Sequence, residues 1–224
     1  MKKITIENNI TDALICLNSE LLPIQLIQEL SNKIPIIAAD GAGTILLENN
    51  ITPDFIVGDL DSFNSNNIFS KSFPNNKLIY LPEQETNDFE KTLQFCYKNS
   101  LSNILIMGIH GGEYEHSLNN WSVLSKYSKL MNLNILDKNR YGFCISENFT
   151  LQTERNEIIS LIPLGQTKIS TKGLKWELKE EVIGLGIREG ARNQSLENEI
   201  KIEIHSGELF VFCNSKFPNL LKYS

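Results

Sequence analysis

The sequence predicts two architectures in succession: an α/β domain built on a mainly parallel, Rossmann-like three-layer sheet, then a small antiparallel β-sandwich. Three observations carry this reading. As far as residue 137, short apolar runs alternate with helix-length segments, the spacing of strands joined by crossover helices. Beyond Asp137 the texture changes to short β-like runs punctuated by Gly165, Gly173 and Gly207, with no convincing helix. At 224 residues the chain can bury one large core or two modest ones.

Taken in order, Ala13 to Leu17 reads as the first strand. Leu22 to Leu30, with Pro23 in its first turn, has helical periodicity and leads to a strand from Pro35 to Ala39. Thr44 to Asn49 is helix-like, Phe55 to Val57 is a third strand and Lys77 to Leu81 a fourth. From Asp88 onward, Phe89, Leu93 and Cys96 share one helical face, and the acidic first turn suits the helix dipole. Asn103 to Met107 is a strand, Glu115 to Leu130 a helix, and Leu133 to Leu136 the next strand. The boundary falls in the polar stretch from Asp137 to Arg140. After it come β-like runs at Gly142–Ile145, Ile158–Ile162, Thr167–Ser170, Trp176–Leu178, Ile200–Ile204 and Leu209–Cys213.

Composition narrows the function classes. Hydrophobic content of 41% and charged content of 21% are those of an ordinary globular protein. A net charge of -6 with no basic stripe argues against a nucleic-acid partner, though not against a nucleotide held in a local pocket. No run of eighteen apolar residues is present, so no membrane span is expected, and the N-terminal stretch is too polar for a secretory signal. Cys16, Cys96, Cys144 and Cys213 stand singly without a Cys-x-x-Cys pair, which argues against zinc and for reduced, buried thiols in a cytoplasmic protein.

The chemistry-bearing residues follow strands. Asp40-Gly41, Gly58-Asp59-Leu60-Asp61-Ser62, Gln84 to Asp88, and Gly108 to Asn120 each fall just beyond an apolar run. Open α/β sheets bind ligands outside the carboxyl ends of their strands. Asp59 and Asp61 are two apart, so in extended geometry their side chains leave on one side. Paired carboxylates need a proton, a cation or a hydrogen-bond cage. An all-oxygen set with no nearby His or Cys favours magnesium, shared with a phosphate. Gly111-Gly112 before a helix lets backbone amides approach an anion, and His116 and Asn120 share the face near that helix start. Asp88 also suits a helix N-terminus for structural reasons alone, and Lys91, which could be a phosphate partner, reads by itself as a surface lysine.

Together these clusters resemble the thiamine pyrophosphokinase (thiamine diphosphokinase) family. The family pattern runs Ala-Asp-Gly-Gly, Pro-Asp-x-Ile-x-Gly-Asp-Phe-Asp-Ser, Gln-x-x-x-Asp, Gly-Gly-x-x-Asp-His-x-x-x-Asn, and Gly-Leu-Lys-Trp followed by Ser-x-Ser-Asn. The chain matches at Ala39-Asp40-Gly41, from Pro53 to Ser62, at Gln84 with Asp88, at Gly111-Gly112 with His116 and Asn120, from Gly173 to Trp176, and at Asn193. It departs at Ala42, Asn87, Glu115, Gly190 and Arg192. Arg192 stands where a serine often lines the acceptor pocket, so it bears on acceptor identity.

The resemblance implies transfer of a pyrophosphoryl group from ATP to the thiamine hydroxyl, releasing AMP. It implies a catalytic domain over residues 1–138 that binds ATP and metal, and a thiamine-binding and dimerisation domain over 139–224. Asp40, Asp59, Asp61 and Asp88 would hold Mg2+, with Asp61 or Asp88 orienting or deprotonating the attacking hydroxyl. Asp40, Gly41, Lys91, Gly111, Gly112, Glu115, His116 and Asn120 would contact ATP. Gln84, Asp88, Trp176, Arg192 and Asn193 would contact thiamine, in a homodimer with active sites at the interface. The physics agrees: each carboxylate about 4 Å from a phosphate charge costs roughly 4 kcal/mol at a dielectric near 20, so bare ATP is expelled unless a divalent ion is present. Two other readings remain open, a diphosphokinase acting on another hydroxyalkyl acceptor such as a pterin, and a nucleotide-binding regulator without turnover.

Overall fold

The structure, a computed structural model, describes residues 1–7, 11–19, 21, 23–65, 67–111, 113–216 and 219–224. The chain divides into two compact units, Thr11–Asp137 and Met1–Ile10 with Lys138–Ser224. The first strand, β1 (Lys2–Glu7), therefore belongs with the β-rich unit, whereas the sequence placed residues 1–138 together. The reason is pairing: β1 is hydrogen-bonded to β9 (Phe149–Gln152) and β14 (Leu220–Tyr223), both strands of that unit.

The α/β unit runs β2 (Ala13–Cys16), α1 (Ile24–Ser31), β3 (Ile36–Ala39), α2 (Ala42–Glu48), β4 (Phe55–Gly58), α3 (Asp61–Ser65), α4 (Asn67–Ser70), β5 (Leu78–Tyr80), α5 (Asp88–Lys98), β6 (Asn103–Met107), α6 (Tyr114–Tyr127) and β7 (Asn132–Asp137). β2 and β3 are buried at every position, as strands covered on both faces must be. All neighbouring pairs are parallel, in the order β7-β6-β2-β3-β4-β5. Right-handed crossovers place the helices before β5 on one face and α5 and α6 on the other. The contacts agree, with α2 against α3 and α5 against α6. The chain steps outward from β2 to β5 and then returns to β6 on the other side of β2, creating a switch point whose open edge carries the loops after β2 and β6.

The β unit adds β8 (Arg140–Ile145), β9 (Phe149–Gln152), β10 (Ile158–Lys172), β11 (Glu181–Ile183), β12 (Gly190–Gln194), β13 (Glu199–Asn214) and β14 (Leu220–Tyr223). β10 and β13 are long, paired antiparallel, and each serves two further ladders: β10 with β12 and β11, β13 with β8 and β9. What the sequence shows as four short runs are halves of these two strands. The bend that separates the halves passes Gly207, which has φ +89°, and a Cβ there would meet Gln166 O at 2.7 Å. Alternate residues Ile159, Leu161, Ile169, Ile200, Ile202, Leu209 and Val211 are buried and form the core. Trp176–Leu178 is not a strand. Thr171 closes that segment into a loop, its N–H donating to Leu178 O and its hydroxyl accepting from Leu178 N–H, both at 2.9 Å.

Candidate active site

Three carboxylates meet beyond the ends of β3 and β4 and at the start of α5. Oxygens of Asp40, Asp59 and Asp88 lie within 4.8 Å of one another. Asp40 follows β3 directly, is 3% exposed and has φ +36°. Its two oxygens accept the N–H groups of Ser62 and Phe63, each at 3.1 Å, which fixes the first turn of α3 beneath it. Asp59 follows β4. Its Oδ2 accepts from Gln84 Nε2 at 3.0 Å and Lys91 Nζ at 3.3 Å, and its Oδ1 from the Asp61 N–H at 3.3 Å. Asp88 opens α5, whose N-cap Asn87 accepts the Glu90 N–H at 2.9 Å.

Gly58 makes this convergence possible. A Cβ there would lie 2.8 Å from Asp88 Oδ1 and 2.9 Å from Asp40 Cβ, so any side chain would push the carboxylates apart.

Electrostatics show what the cluster lacks. Asp88 Oδ1 is buried and has no hydrogen-bond partner among the described residues. Lys91 is the cation against it, 3.5 Å from that oxygen. Burial, then the Asp40 and Asp59 charges, push the Asp88 carboxyl above the ordinary range, with Lys91 opposing. For Asp59 burial also acts upward, but the bonds from Gln84, the Asp61 N–H and Lys91 outweigh it and hold that carboxyl below the ordinary range. Lys91 itself is 1% exposed and bridges Asp59 and Asp88. It is an internal counter-charge to the carboxylates, whereas the residue alone read as a surface lysine and the resemblance implied a contact to ATP.

Asp61 does not join the three. Leu60 adopts φ +63°, so the Asp59-to-Asp61 stretch is not extended, and Asp61 begins α3 as an exposed residue. The expectation of side chains leaving on one side fails for that reason. Gln84 does join, through Asp59. Asn120 is drawn toward the same edge: its Oδ1 accepts from Asn87 Nδ2 at 3.2 Å and its Nδ2 donates to Ile109 O at 3.1 Å. Gly41 packs so closely that a Cβ would meet Asn18 Nδ2 at 2.6 Å. Gly111 has φ +119° and its N–H donates to Ser117 Oγ at 3.3 Å. Gly112 lies outside the described residues. Glu115 is exposed, and His116, 71% exposed, faces Glu113 at 3.4 Å.

Sequence reasoning missed the loop after β2. Asn18, Gly41, Thr44, Ser62 and Ser65 line a cavity of about 570 Å³, into whose wall the Thr44 hydroxyl is buried without a partner among the described residues. It also missed a pair at the switch point: His110 Nε2 lies 2.8 Å from Asp137 Oδ2, and the Ser19 hydroxyl donates to His110 O. The available signal was position, since Asn18 and His110 follow β2 and β6 as Asp40 follows β3.

In the β unit, Asn193 clamps the Trp176 backbone, accepting its N–H at 3.2 Å and donating to its carbonyl at 2.8 Å. Trp176 is 52% exposed, with Lys175 Nζ 4.8 Å from its ring centroid. Trp176 and Asn193 line a cavity of about 150 Å³ with Gly190 and Arg188. Arg192 lies instead on a different cavity of the same unit.

Residues 26–136 match the family model "Thiamin pyrophosphokinase, catalytic domain", and residues 148–209 match "Thiamin pyrophosphokinase, vitamin B1 binding domain". The chain belongs to the thiamin pyrophosphokinase family. The first match spans the aspartate cluster, Gln84 and Asn120, and the second spans Trp176, Arg192 and Asn193. Among relatives, Thiamin pyrophosphokinase 1 of Caenorhabditis elegans is 25% identical over 190 residues, covering 78% of this chain and 76% of that one. Thiamine pyrophosphokinase 1 of Arabidopsis thaliana is 25% identical over 191 residues, covering 77% and 69%. The fold is that of solved thiamin pyrophosphokinases. The structure from Bacillus subtilis superposes with TM-score 0.75 at 21% identity, covering 92% of this chain and 100% of that one. The yeast structure superposes with TM-score 0.77 at 18% identity, covering 95% and 90%. Their common layout is a mostly parallel sheet followed by antiparallel strands.

Proposed function

We propose that the chain transfers a pyrophosphoryl group from ATP to the hydroxyl of thiamine, giving thiamine diphosphate and AMP. One observation carries this reading: three convergent carboxylates, one with an orphaned buried oxygen, lie within the part of the chain that matches the family's catalytic domain. Three carboxylates against one ammonium leave the site short of positive charge.

The residues fit a magnesium ion. The donors are all oxygen, Asp88 Oδ1 has no hydrogen-bond partner among the described residues, and Gly58 keeps space for the carboxylates to close on a single point. Asp40, Asp59 and Asp88 would hold it, with Asp61 adjacent. Bound there, Mg2+ would neutralise the phosphate chain and withdraw charge from the phosphoryl oxygens.

The protein's own groups do the rest. Gln84 and Lys91 fix Asp59, and the α3 amides fix Asp40, so neither carboxylate must reorganise when the polyphosphate arrives. The cavity beside Gly41 and Thr44, together with Gly111, Gly112, Glu115, His116 and Asn120, would take ATP. Trp176 offers a ring face to the thiazolium cation, and Asn193 holds that ring's backbone in place. Gln84 is the polar contact to the acceptor. In-line attack forms the bond between the acceptor oxygen and the β-phosphorus and breaks the bond to the α-phosphate oxygen, so AMP leaves. The hydroxyl proton passes to Asp61, exposed beside the cluster, or to Asp88 at the start of α5.

We read the protein as a cytoplasmic homodimer, on resemblance alone. No helix among the described residues is long and apolar enough to cross a membrane. The test is AMP release from Mg-ATP with thiamine, and separately with a reduced pterin alcohol. Turnover with thiamine is expected. Turnover with the pterin only would transfer the reading to the other acceptor, and tight ATP binding with neither would leave a regulator.

A further inference from the structure

The β unit carries a second concave site that the reaction does not use. Its cavity of about 700 Å³ lies over four adjacent strands, β12, β10, β13 and β8. That size is in the range of small-molecule sites. Ile158, Ile162 and Phe212 contribute an apolar floor, and Ser160 and Asn214 stand among them. The charged residues lining it are two arginines, Arg140 and Arg192, with no carboxylate.

The two arginines are held differently. Arg140 is built into the sheet: its Nη1 donates to Ile158 O at 2.7 Å and Asn214 Oδ1 at 2.8 Å, and its Nη2 to Phe212 O at 2.9 Å. Burial, and the neighbouring Arg192 charge, make its protonated form less favourable, while Glu157 acts the other way. Glu157 is already engaged, accepting the Asn214 and Glu154 N–H groups at 2.8 Å and lying 3.9 Å from Lys216. The Arg192 guanidinium has no hydrogen bond or ion pair among the described residues; only its backbone N–H is used, donating to Ser160 Oγ at 3.0 Å.

The backbone is shaped to place Arg192 here. Ile159 pairs with Asn193 but Leu161 with Gly190, so Ala191 and Arg192 together oppose Ser160, an inserted residue in β12. Arg192 takes φ +56°, a conformation that costs a side-chain-bearing residue about 1 kcal/mol or more. Asn193, opposite Ile159, lines the Trp176 cavity, and Arg192, beside Ser160, lines the arginine cavity, as adjacent residues of a strand alternate between faces; the extra residue is taken up by Ala191.

From these observations we infer that the Arg140–Arg192 cavity binds an organic phosphate, its anion on the two guanidinium groups and its ring on Ile158, Ile162 and Phe212. Two like charges over one apolar floor in a protein of net charge -6 are a local reversal of field, complementary to a compact anion with an apolar body. The site is separate from the acceptor pocket, so it does not depend on the proposed reaction.

The probes are AMP and inorganic phosphate, titrated calorimetrically into the full chain in EDTA. Without a divalent ion the aspartate cluster repels anions, so metal-free binding reports the arginine cavity. Saturable AMP binding is expected, weakening with salt, reduced about tenfold or more by Arg192→Ser and abolished by Arg192→Glu. Arg192 is chosen because its side chain holds no structural bond, whereas Arg140 does. Circular dichroism of each variant establishes that it is folded, and an Arg192→Lys variant should recover part of the binding. Four results overturn the inference: no AMP binding in EDTA, binding indifferent to Arg192→Glu, inorganic phosphate binding as tightly as AMP, or competition by thiamine. The last, or a rise in thiamine KM in Arg192→Ser with AMP binding intact, would assign Arg192 to the acceptor pocket.

Discussion

The two units concentrate charge by opposite geometries. In the α/β unit, Asp40, Asp59 and Asp88 come from loops far apart in sequence, and a parallel sheet brings those loops to one edge because every strand ends on the same side. In the β unit, Arg140 and Arg192 sit on strands separated by two others, and both reach one cavity because the register of those strands puts them on the same face as Asn214, Phe212 and Ser160. The first arrangement follows from topology and tolerates small shifts of register. The second hangs on register itself. In the proposed reaction the aspartate edge meets the reacting phosphates whereas the β face only binds, so substitutions should act more severely on the first than on the second.

The largest effect is expected from Asp59→Asn. It removes the carboxylate that Gln84, Lys91 and the Asp61 N–H all serve, and should lower turnover with Mg-ATP and thiamine by roughly 10²–10³-fold or more, with the fold intact. Near-normal turnover in that variant, measured as AMP release, would dissolve the contrast by taking chemistry away from the edge.

Gly58→Ala tests the same edge by shape instead of charge. Its new Cβ would sit 2.8 Å from Asp88 Oδ1, so the carboxylates must separate. A loss of about 1–3 kcal/mol in urea-derived stability is expected, together with weaker activation by Mg2+. If stability fell but the magnesium dependence did not change, convergence of Asp40 and Asp88 would be irrelevant to metal binding.

On the β face, Trp176→Ala should be milder and selective. The residue is half-exposed, and loss of a cation–π contact of about 0.5–2 kcal/mol corresponds to a rise of roughly 2- to 30-fold in thiamine KM, with the ATP KM unchanged. Equal rises for both substrates would place the ring outside the acceptor pocket.

The same contrast explains what could be read from the residues. Strand ends in a parallel sheet announce themselves, because an apolar run stops at Asp or Gly: Asp40-Gly41 and Gly58-Asp59 were legible, and every strand of the α/β unit was found within about two residues. The error there was local. Placing Asp61 beside Asp59 assumed extended backbone, and nothing in Leu60 reveals φ +63°. In the β unit, half-buried strands paired far along the chain leave weaker marks. β1 and β14 pair across nearly the whole sequence, and β12, with the sequence Gly-Ala-Arg-Asn-Gln, has no alternating pattern because a bulge interrupts it. The family motif located Asn193 and Arg192, but it could not say that adjacent residues serve separate cavities.

The smallest predicted effect is the most diagnostic of the edge's stored repulsion. Burial and the Asp40 and Asp59 charges raise the Asp88 carboxyl above its unfolded range. A group raised on folding stabilises the fold fully below its unfolded value, about 3.9 for Asp, and that contribution disappears as pH rises through the folded value. Metal-free wild type should therefore lose stability relative to Asp88→Asn as pH climbs from about 4 toward neutrality. Asp59 runs the other way: its carboxyl is lowered, so it stabilises above the unfolded value and its contribution fades as pH falls through the folded one. Because the Asp88 side chain is 35% exposed, water screens the effect, and a rise in Tm of about 1–3 °C at pH 7 is expected for the variant. Magnesium should reverse the order, stabilising wild type more than Asp88→Asn, since only the carboxylate presents the orphaned oxygen to the ion. A variant less stable than metal-free wild type at every pH would mean that Lys91 satisfies Asp88 in full, and the edge would then hold no repulsion for a metal to relieve.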